Sequence, residues 1–182
     1  MDIATQRLDL LLITTTELSE LSNAPTNEPV FHNRSFTNPY GILTQERIPH
    51  ANRIEDVQRN PSHIKWYYRL IVERESRTLI GSISFHAPPD INGMVEVGFG
   101  LASEYRGNGY GRETLEALWL WACQQPEVKV LRYTVSPDNR ASQAIIARYP
   151  TKYLGQQIDD EDGPEDIYEI NCTDFLKFYG QL

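Results

Sequence analysis

Long apolar runs are missing from this 182-residue chain. None approaches the ~20 residues that a membrane-crossing helix needs, so no span is expected. The stretch from Leu8 to Ile13 is apolar, but Asp9 interrupts it, acids follow, and no small-residue cleavage site appears. A secretory leader is therefore not expected. Cysteine is scarce: Cys123 and Cys172 lie far apart in sequence, with no CxxC spacing. That argues against a zinc site and makes a reducing cytoplasm the simplest compartment. The four histidines, His32, His50, His63 and His86, show neither HxH nor HxxxH spacing. They read as loop and helix-surface residues, and no metal is expected. Basic charge is in deficit, with 17 Lys and Arg against 25 Asp and Glu. A basic nucleic-acid footprint is absent. Internal repeats and low-complexity linkers are absent too.

What is present fits one globular domain over residues 1–182. Hydrophobic residues are 40% and charged residues 23%, enough for a real core at this length without metals or disulfides. The acidity is concentrated. Residues 157–182 carry eight acids against the single base Lys177. Two readings stay open: Asp159, Asp160, Glu161 and Asp162 solvate a hairpin turn, or they attract a cationic partner.

Periodicity and turn residues outline the elements. Gln6–Ile13 reads as a first strand, followed by a short helical turn at Glu17–Leu21 capped by Thr15 or Thr16. Residues 22–48 are rich in Asn, Pro, Thr and Ser and read as a long irregular stretch. Pro49–Asn60 predicts a helix ended by Pro61. Trp66–Glu73 and Thr78–Phe85 predict a hairpin, and Met94–Leu101 alternates as a strand. Val95, Val97, Phe99 and Leu101 share one face; Glu96, Gly98 and Gly100 share the other. A helix is expected from Gly109 to Cys123, with Leu115, Leu118, Trp119 and Ala122 at helical spacing. Lys129–Val135 is a strand and Asp138–Tyr149 a helix. Tyr153–Ile158 and Asp166–Cys172 form a last hairpin. The order predicts an α/β domain with a mostly antiparallel sheet and helices on its faces. Trp66, Trp119 and Trp121 read as core or sheet-facing residues.

The most informative segment is Arg106-Gly107-Asn108-Gly109-Tyr110-Gly111, between a strand and an amphipathic helix. A helix N-terminus offers unpaired N–H groups and partial positive charge. Glycines let those groups converge without a Cβ in the way, and Arg106 and Arg112 add full charges. This is a pyrophosphate cradle in outline. A Walker A loop is excluded because no lysine follows the glycines. A GxGxxG dinucleotide fingerprint fails because its third glycine position is Arg112. A glycine-rich turn that merely starts a helix is the plain alternative.

The flanks add a resemblance. The loop resembles the signature of the GNAT superfamily of acyl-CoA-dependent N-acyltransferases: Arg or Gln, two residues, Gly, one residue, then Gly or Ala. Val95-Glu96-Val97-Gly98-Phe99-Gly100-Leu101 is similar to the "aEIGYxL" strand of the Rim-type branch, named for ribosomal-protein N-acetyltransferases. Asn139-Arg140-Ala141-Ser142 is similar to that branch's "NxxS", and Gln6-Arg7-Leu8-Asp9-Leu10 to its first strand. The likeness is strongest from Trp66 to Gly155 and weak over residues 22–64.

The resemblance implies a single GNAT-like sheet splayed between its fourth and fifth strands, with helices on both faces. It implies a CoA-binding core over residues 94–155 and a variable acceptor-side segment over residues 22–64. Acetyl-CoA is the implied co-substrate, with its pyrophosphate on the N–H groups of Arg106, Gly107, Asn108, Gly109, Tyr110 and Gly111, beside Arg112. Its pantetheine arm would lie along Phe99, Gly100 and Leu101. Asn139 would reach the pantetheine amides, although Asn is also a good helix cap. Ser142 would lie near the thioester sulfur.

An amine must be neutral to attack a thioester. At pH 7 a lysine-like amine is neutral about one time in 10³, and an α-amine about one time in ten. Glu96 is the candidate base, because it shares a strand face with two glycines that leave an open floor for an acceptor. The resemblance implies the same role, direct or through water. The alternative is a surface carboxylate paired with a neighbour. The oxyanion would be held by backbone N–H groups near Val97 to Phe99. The tyrosine acid that many GNAT enzymes place seven residues after the Asn is replaced by Ile146. Ser142, or more weakly Tyr168, would then serve the leaving thiolate. Phe31, Phe36 and Tyr40 are possible acceptor-pocket aromatics.

The implied activity is acetyl transfer to a primary amine on a peptide N-terminus, an amino acid or a small cationic metabolite. Two other readings stay open: a non-catalytic acyl-CoA-binding module, and an antibiotic- or polyamine-modifying acetyltransferase. No nucleic-acid or membrane partner is expected. The chain is expected to be a monomer or homodimer, with Thr173–Tyr179 as one possible pairing segment.

Overall fold

A computed structural model of the chain describes residues 1–23, 31, 33–43, 51–159 and 163–181. It divides into two units: Met1–Ser84 with Phe99–Thr114, and Phe85–Gly98 with Leu115–Leu182.

In the first unit, strands β1 (Ile3–Ala4), β2 (Leu8–Leu12), β3 (Arg69–Glu73) and β4 (Thr78–Phe85) form an antiparallel ladder in chain order. The end of β5 (Met94–Leu101) lies beside β4, where Ala102 N–H donates to the Ile80 carbonyl at 2.8 Å. Helices α1 (Thr15–Asn23) and α2 (Ala51–Arg59) bury Leu18, Leu21 and Val57 against Leu70, Val72 and Leu79. Leu10 pairs with Ile71, and both are fully buried on the opposite face of the strands. A period of two therefore supplies apolar residues to both faces of β3.

In the second unit, Met94–Val97 of β5 run parallel to β6 (Val130–Val135). Strand β8 (Gly163–Asn171) pairs antiparallel with β6, and β7 (Lys152–Asp159) with β8. The strand order is β1-β2-β3-β4-β5-β6-β8-β7, a mixed eight-stranded sheet. Residues Leu115, Leu118, Trp119 and Ala122 of helix α3 (Tyr110–Cys123) are fully buried, as their spacing predicts. Trp119 meets Tyr149, Phe175 and Tyr133 edge-on, with centroids 5.5, 5.3 and 6.4 Å away. Edge-to-face aromatic pairs stabilise by about 1 kcal/mol each beyond their area burial. The aromatics of this core come from α3, β6, the turn after α4 (Arg140–Ile146), and α5 (Cys172–Tyr179).

Several expectations shift. β4 and β5 have the bounds the alternation predicts, but β3 begins at Arg69, because Pro61–Trp66 winds into a 3-10 turn. Helix α2 is seen from Ala51; Pro49 and His50 lie outside the described residues. α4 is shorter than its pattern, ending before the turn at Ala147–Tyr149. Cys172 opens a helix rather than ending a strand; Phe175, buried completely, anchors it. Trp66 and Trp119 are core residues, and Trp121 is half-buried against Phe85. Asp160, Glu161 and Asp162 lie outside the described residues.

The cap of α1 is Thr14, not Thr15 or Thr16. Its hydroxyl accepts from Glu17 N–H at 3.1 Å, and the Glu17 carboxylate accepts from Thr14 N–H at 2.7 Å. This is a reciprocal capping box. Arg34 donates to both Glu17 oxygens at 2.6 Å, pinning part of the irregular segment to the helix. Burial works against the Glu17 charge, but the bonds from Arg34 and Thr14 more than offset it and hold its pKa below the usual value. A depressed carboxylate pKa contributes stability above the unfolded pKa, and that contribution is lost as pH falls through the folded pKa. Glu17→Gln should therefore cost about 2 kcal/mol at neutral pH in urea unfolding. The difference from the parent protein should vanish in acid, below the ordinary carboxylate range.

Candidate active site

The glycine loop belongs to the first unit. Gly107 and Gly109 take φ of +78° and +82°, which side chains rarely adopt. These two left-handed residues turn the chain from the 3-10 turn at Ser103–Tyr105 into α3. A Cβ at Gly107 would meet nothing within 4 Å, so the loop faces open space there. Arg106 is exposed and spends its Nε on the Leu101 carbonyl at 3.0 Å. The Asn108 side chain bonds the Arg106 carbonyl at 3.2 Å.

A brace that sequence reasoning missed holds this loop. Arg7 donates to the Asn108 carbonyl at 3.0 Å and to Glu113 at 2.7 Å, and stacks 4.3 Å over the Tyr110 ring. Thr5 also donates to Glu113, at 2.6 Å. Burial raises the Glu113 pKa, but the Thr5 and Arg7 bonds outweigh it, and the net shift is downward. An ionised Glu113 in the first turn also suits the helix dipole. The first-turn N–H groups of α3 thus sit on a fixed loop with no side chain in front of Gly107. Phe99 and Leu101, on the β5 end of this unit, are half-buried, and Gly100 is exposed. Tyr40 and Tyr105 meet edge-on, with Tyr105 beside Tyr110; Phe31 and Phe36 join the α1–α2 core.

Glu96 belongs to the second unit. The register between β5 and β6 runs from Met94↔Val130 to Val97↔Tyr133, and β5 continues four residues further. Glu96 lies beside the last pair. Its Oε1 accepts from the Thr134 hydroxyl at 2.8 Å and stands 3.3 Å from His86 Nδ1; its Oε2 lies 4.0 Å from Arg132. Arg132 itself is held by Glu169 at 2.6 Å. Burial favours the neutral carboxyl, but the His86 and Thr134 bonds and the His86 and Arg132 charges prevail, so the Glu96 pKa falls below its usual value. Glu96 is thus a paired carboxylate held ionised.

His86 reads from the sequence only as a loop or helix-surface residue. It directly follows β4, and its N–H donates to the Glu96 carbonyl at 2.8 Å. Phe85 turns inward, so the alternation sends His86 to the face of Glu96. No spacing motif signals this, because the two residues are ten apart and meet only across the strands.

Asn139 caps α4: its Oδ1 accepts from Ser142 N–H at 3.1 Å. Its side-chain NH₂ remains a potential donor. Ser142 is half-buried and bonds the Tyr133 hydroxyl, whose pKa is raised by burial and lowered by that bond, upward on balance. Tyr133 lies across β6 from Arg132 and Thr134, so Ser142 and Glu96 approach β6 from opposite faces. Tyr168 donates to Gln143 at 3.2 Å, and Ile146 is a core residue. His63 bonds Asp56, while His32 and His50 lie outside the described residues. Among the described residues, no three His, Cys, Asp or Glu stand close enough to hold a metal ion, and no helix is long and apolar enough to cross a membrane.

Comparisons with known proteins give the family. Residues 7–149 match the acetyltransferase (GNAT) domain family, and the chain belongs to it. YjdG of Bacillus subtilis, described as an uncharacterized N-acetyltransferase, is 30% identical over 79 residues; the match covers 43% of this chain and 47% of YjdG, less than half of that relative's length. RimL, a ribosomal α-N-protein acetyltransferase solved with coenzyme A, shares the fold at a TM-score of 0.61 and 18% identity, covering 94% of this chain and 98% of that one. A spermidine N-acetyltransferase chimera of Vibrio cholerae SpeG and hSSAT shares it at 0.62 and 14% identity, covering 94% and 99%.

Proposed function

We propose that this protein moves the acetyl group of acetyl-CoA to a primary amine by direct attack on the thioester. The observation that carries this reading is the braced glycine loop, with Gly107 and Gly109 left-handed at the mouth of α3. Its N–H groups, from Arg106 to Gly111, hold the pyrophosphate, and Arg106 and Arg112 add charge. Phe99, Gly100 and Leu101 offer backbone to the pantetheine arm. Asn139 reaches that arm with its remaining donors, and Ser142 attends the sulfur. Glu96 is the carboxylate on which loss of the amine proton depends, directly or through an intermediary. Val97 to Phe99 supply the oxyanion donor.

The Rim-type motifs and the fold shared with RimL favour a peptide N-terminus as acceptor. An α-amine also needs the least help from a base at neutral pH. The spermidine N-acetyltransferase likeness makes a polyamine the competing acceptor, since one fold serves many acceptors. The setting we infer is the cytoplasm, with the chain as monomer or homodimer.

The test incubates purified protein with acetyl-CoA and a panel of N-terminal peptides, amino acids, polyamines and aminoglycosides. Free CoA thiol and product mass are measured together. We expect thiol release with one class of acetylated amine. Saturable acetyl-CoA binding without release would point to a binding module, and absence of binding would overturn the reading.

A further inference from the structure

The Glu96 carboxylate is poorly placed to take a proton itself. Oε1 is shared between Thr134 and His86, Oε2 faces Arg132, and the side chain is only 16% exposed. His86 has the opposite character. Its side chain is 48% exposed, and one ring nitrogen is directed at Glu96. The other nitrogen lies over Gly98: a Cβ built there would fall 2.5 Å from His86 Nε2. Gly98 follows Val97, where pairing of β5 with β6 ends, so the imidazole hangs over the strand backbone assigned above to the thioester carbonyl.

We propose that His86 is the catalytic base and that Glu96 is its positioning residue. This rests on the acetyltransferase reading and names the group through which Glu96 acts. A carboxylate opposite Nδ1 selects the tautomer with hydrogen on Nδ1 and leaves Nε2 free to accept. The amine nitrogen attacks the thioester carbon, forming the C–N bond, and its proton passes to Nε2. The C–S bond breaks, and the imidazolium returns the proton to the CoA thiolate. The products are an amide and free CoA thiol, and Glu96 stays ionised throughout. A half-exposed imidazole nitrogen can meet an incoming amine more readily than a carboxylate enclosed by Thr134, His86 and Arg132. The absence of a side chain at position 98 is what lets the ring lie there.

The test uses full-length protein, acetyl-CoA and the panel amine that the wild type acetylates. His86→Ala should lower kcat at least 10²-fold with the Kd for CoA unchanged. Added imidazole should restore part of the rate, which loss of a merely structural contact would not allow. The double variant Glu96→Gln with His86→Ala should be no slower than His86→Ala alone, because the two act as a unit. Gly98→Ala should push the ring aside and lose rate comparably, with little response to imidazole. A His86→Ala rate within threefold of wild type overturns the proposal and leaves the acetyltransferase reading standing. So do multiplicative effects in the double variant, which would mean that Glu96 acts without His86. Wild-type protein that acetylates no amine overturns both.

Discussion

Glu96→Gln should lower turnover by 10²-fold or more while CoA binding survives. The change is nearly isosteric and keeps a hydrogen-bonding group between Thr134 and His86. It removes the charge, and it can place an NH₂ donor opposite His86 Nδ1. A donor there forces the ring hydrogen onto Nε2, where the nitrogen can no longer accept a proton. The effect belongs in kcat rather than in the Kd for CoA, because the loop proposed for the pyrophosphate is a separate set of residues. Single-turnover kinetics with calorimetric CoA binding would show the split. Unchanged turnover would remove Glu96 from the chemistry.

Gly107→Val should weaken CoA binding 10- to 100-fold while leaving the protein folded. At φ of +78° an L side chain costs about 1–2 kcal/mol. The loop is exposed and a Cβ there meets nothing, so it can relax to a negative φ without damaging the core. Relaxation turns N–H groups away from the phosphates. A hydrogen bond to a charged group contributes about 1.5–3 kcal/mol, so losing one gives a change of this size. Calorimetry with CoA measures it, and a thermal melt close to wild type confirms that folding is spared. An unchanged Kd would remove the loop from CoA binding.

The two site components differ in how they can be read from sequence. The loop is a contiguous run of residues whose glycines and arginines state their purpose locally. Its brace is not contiguous: Arg7, Thr5 and Glu113 meet only because the turn between β1 and β2 lies beside the start of α3. Glu96 could be named from the alternation of β5, which puts it on a face with two glycines. Its state could not, because Thr134 reaches it from β6 and His86 from the turn after β4. Asn139 shows the reverse: its type suits both capping and ligand binding, and the structure shows the cap, with its oxygen on Ser142 N–H.

Local chemistry also explains where elements depart from their sequence pattern. Thr14, Thr15 and Thr16 are equally good caps by type, and only the return bond from Glu17 separates them. Cys172 extends an apolar alternation but opens a helix, because Phe175 docks on Trp119 and Tyr149. Periodicity, turn residues and the glycine loop, set by neighbours within a few positions, were enough to predict the fold class and to single out the loop that opens α3. The tertiary structure alone decided which groups face Glu96, because cross-strand register brings together residues whose sequence separation follows no fixed period.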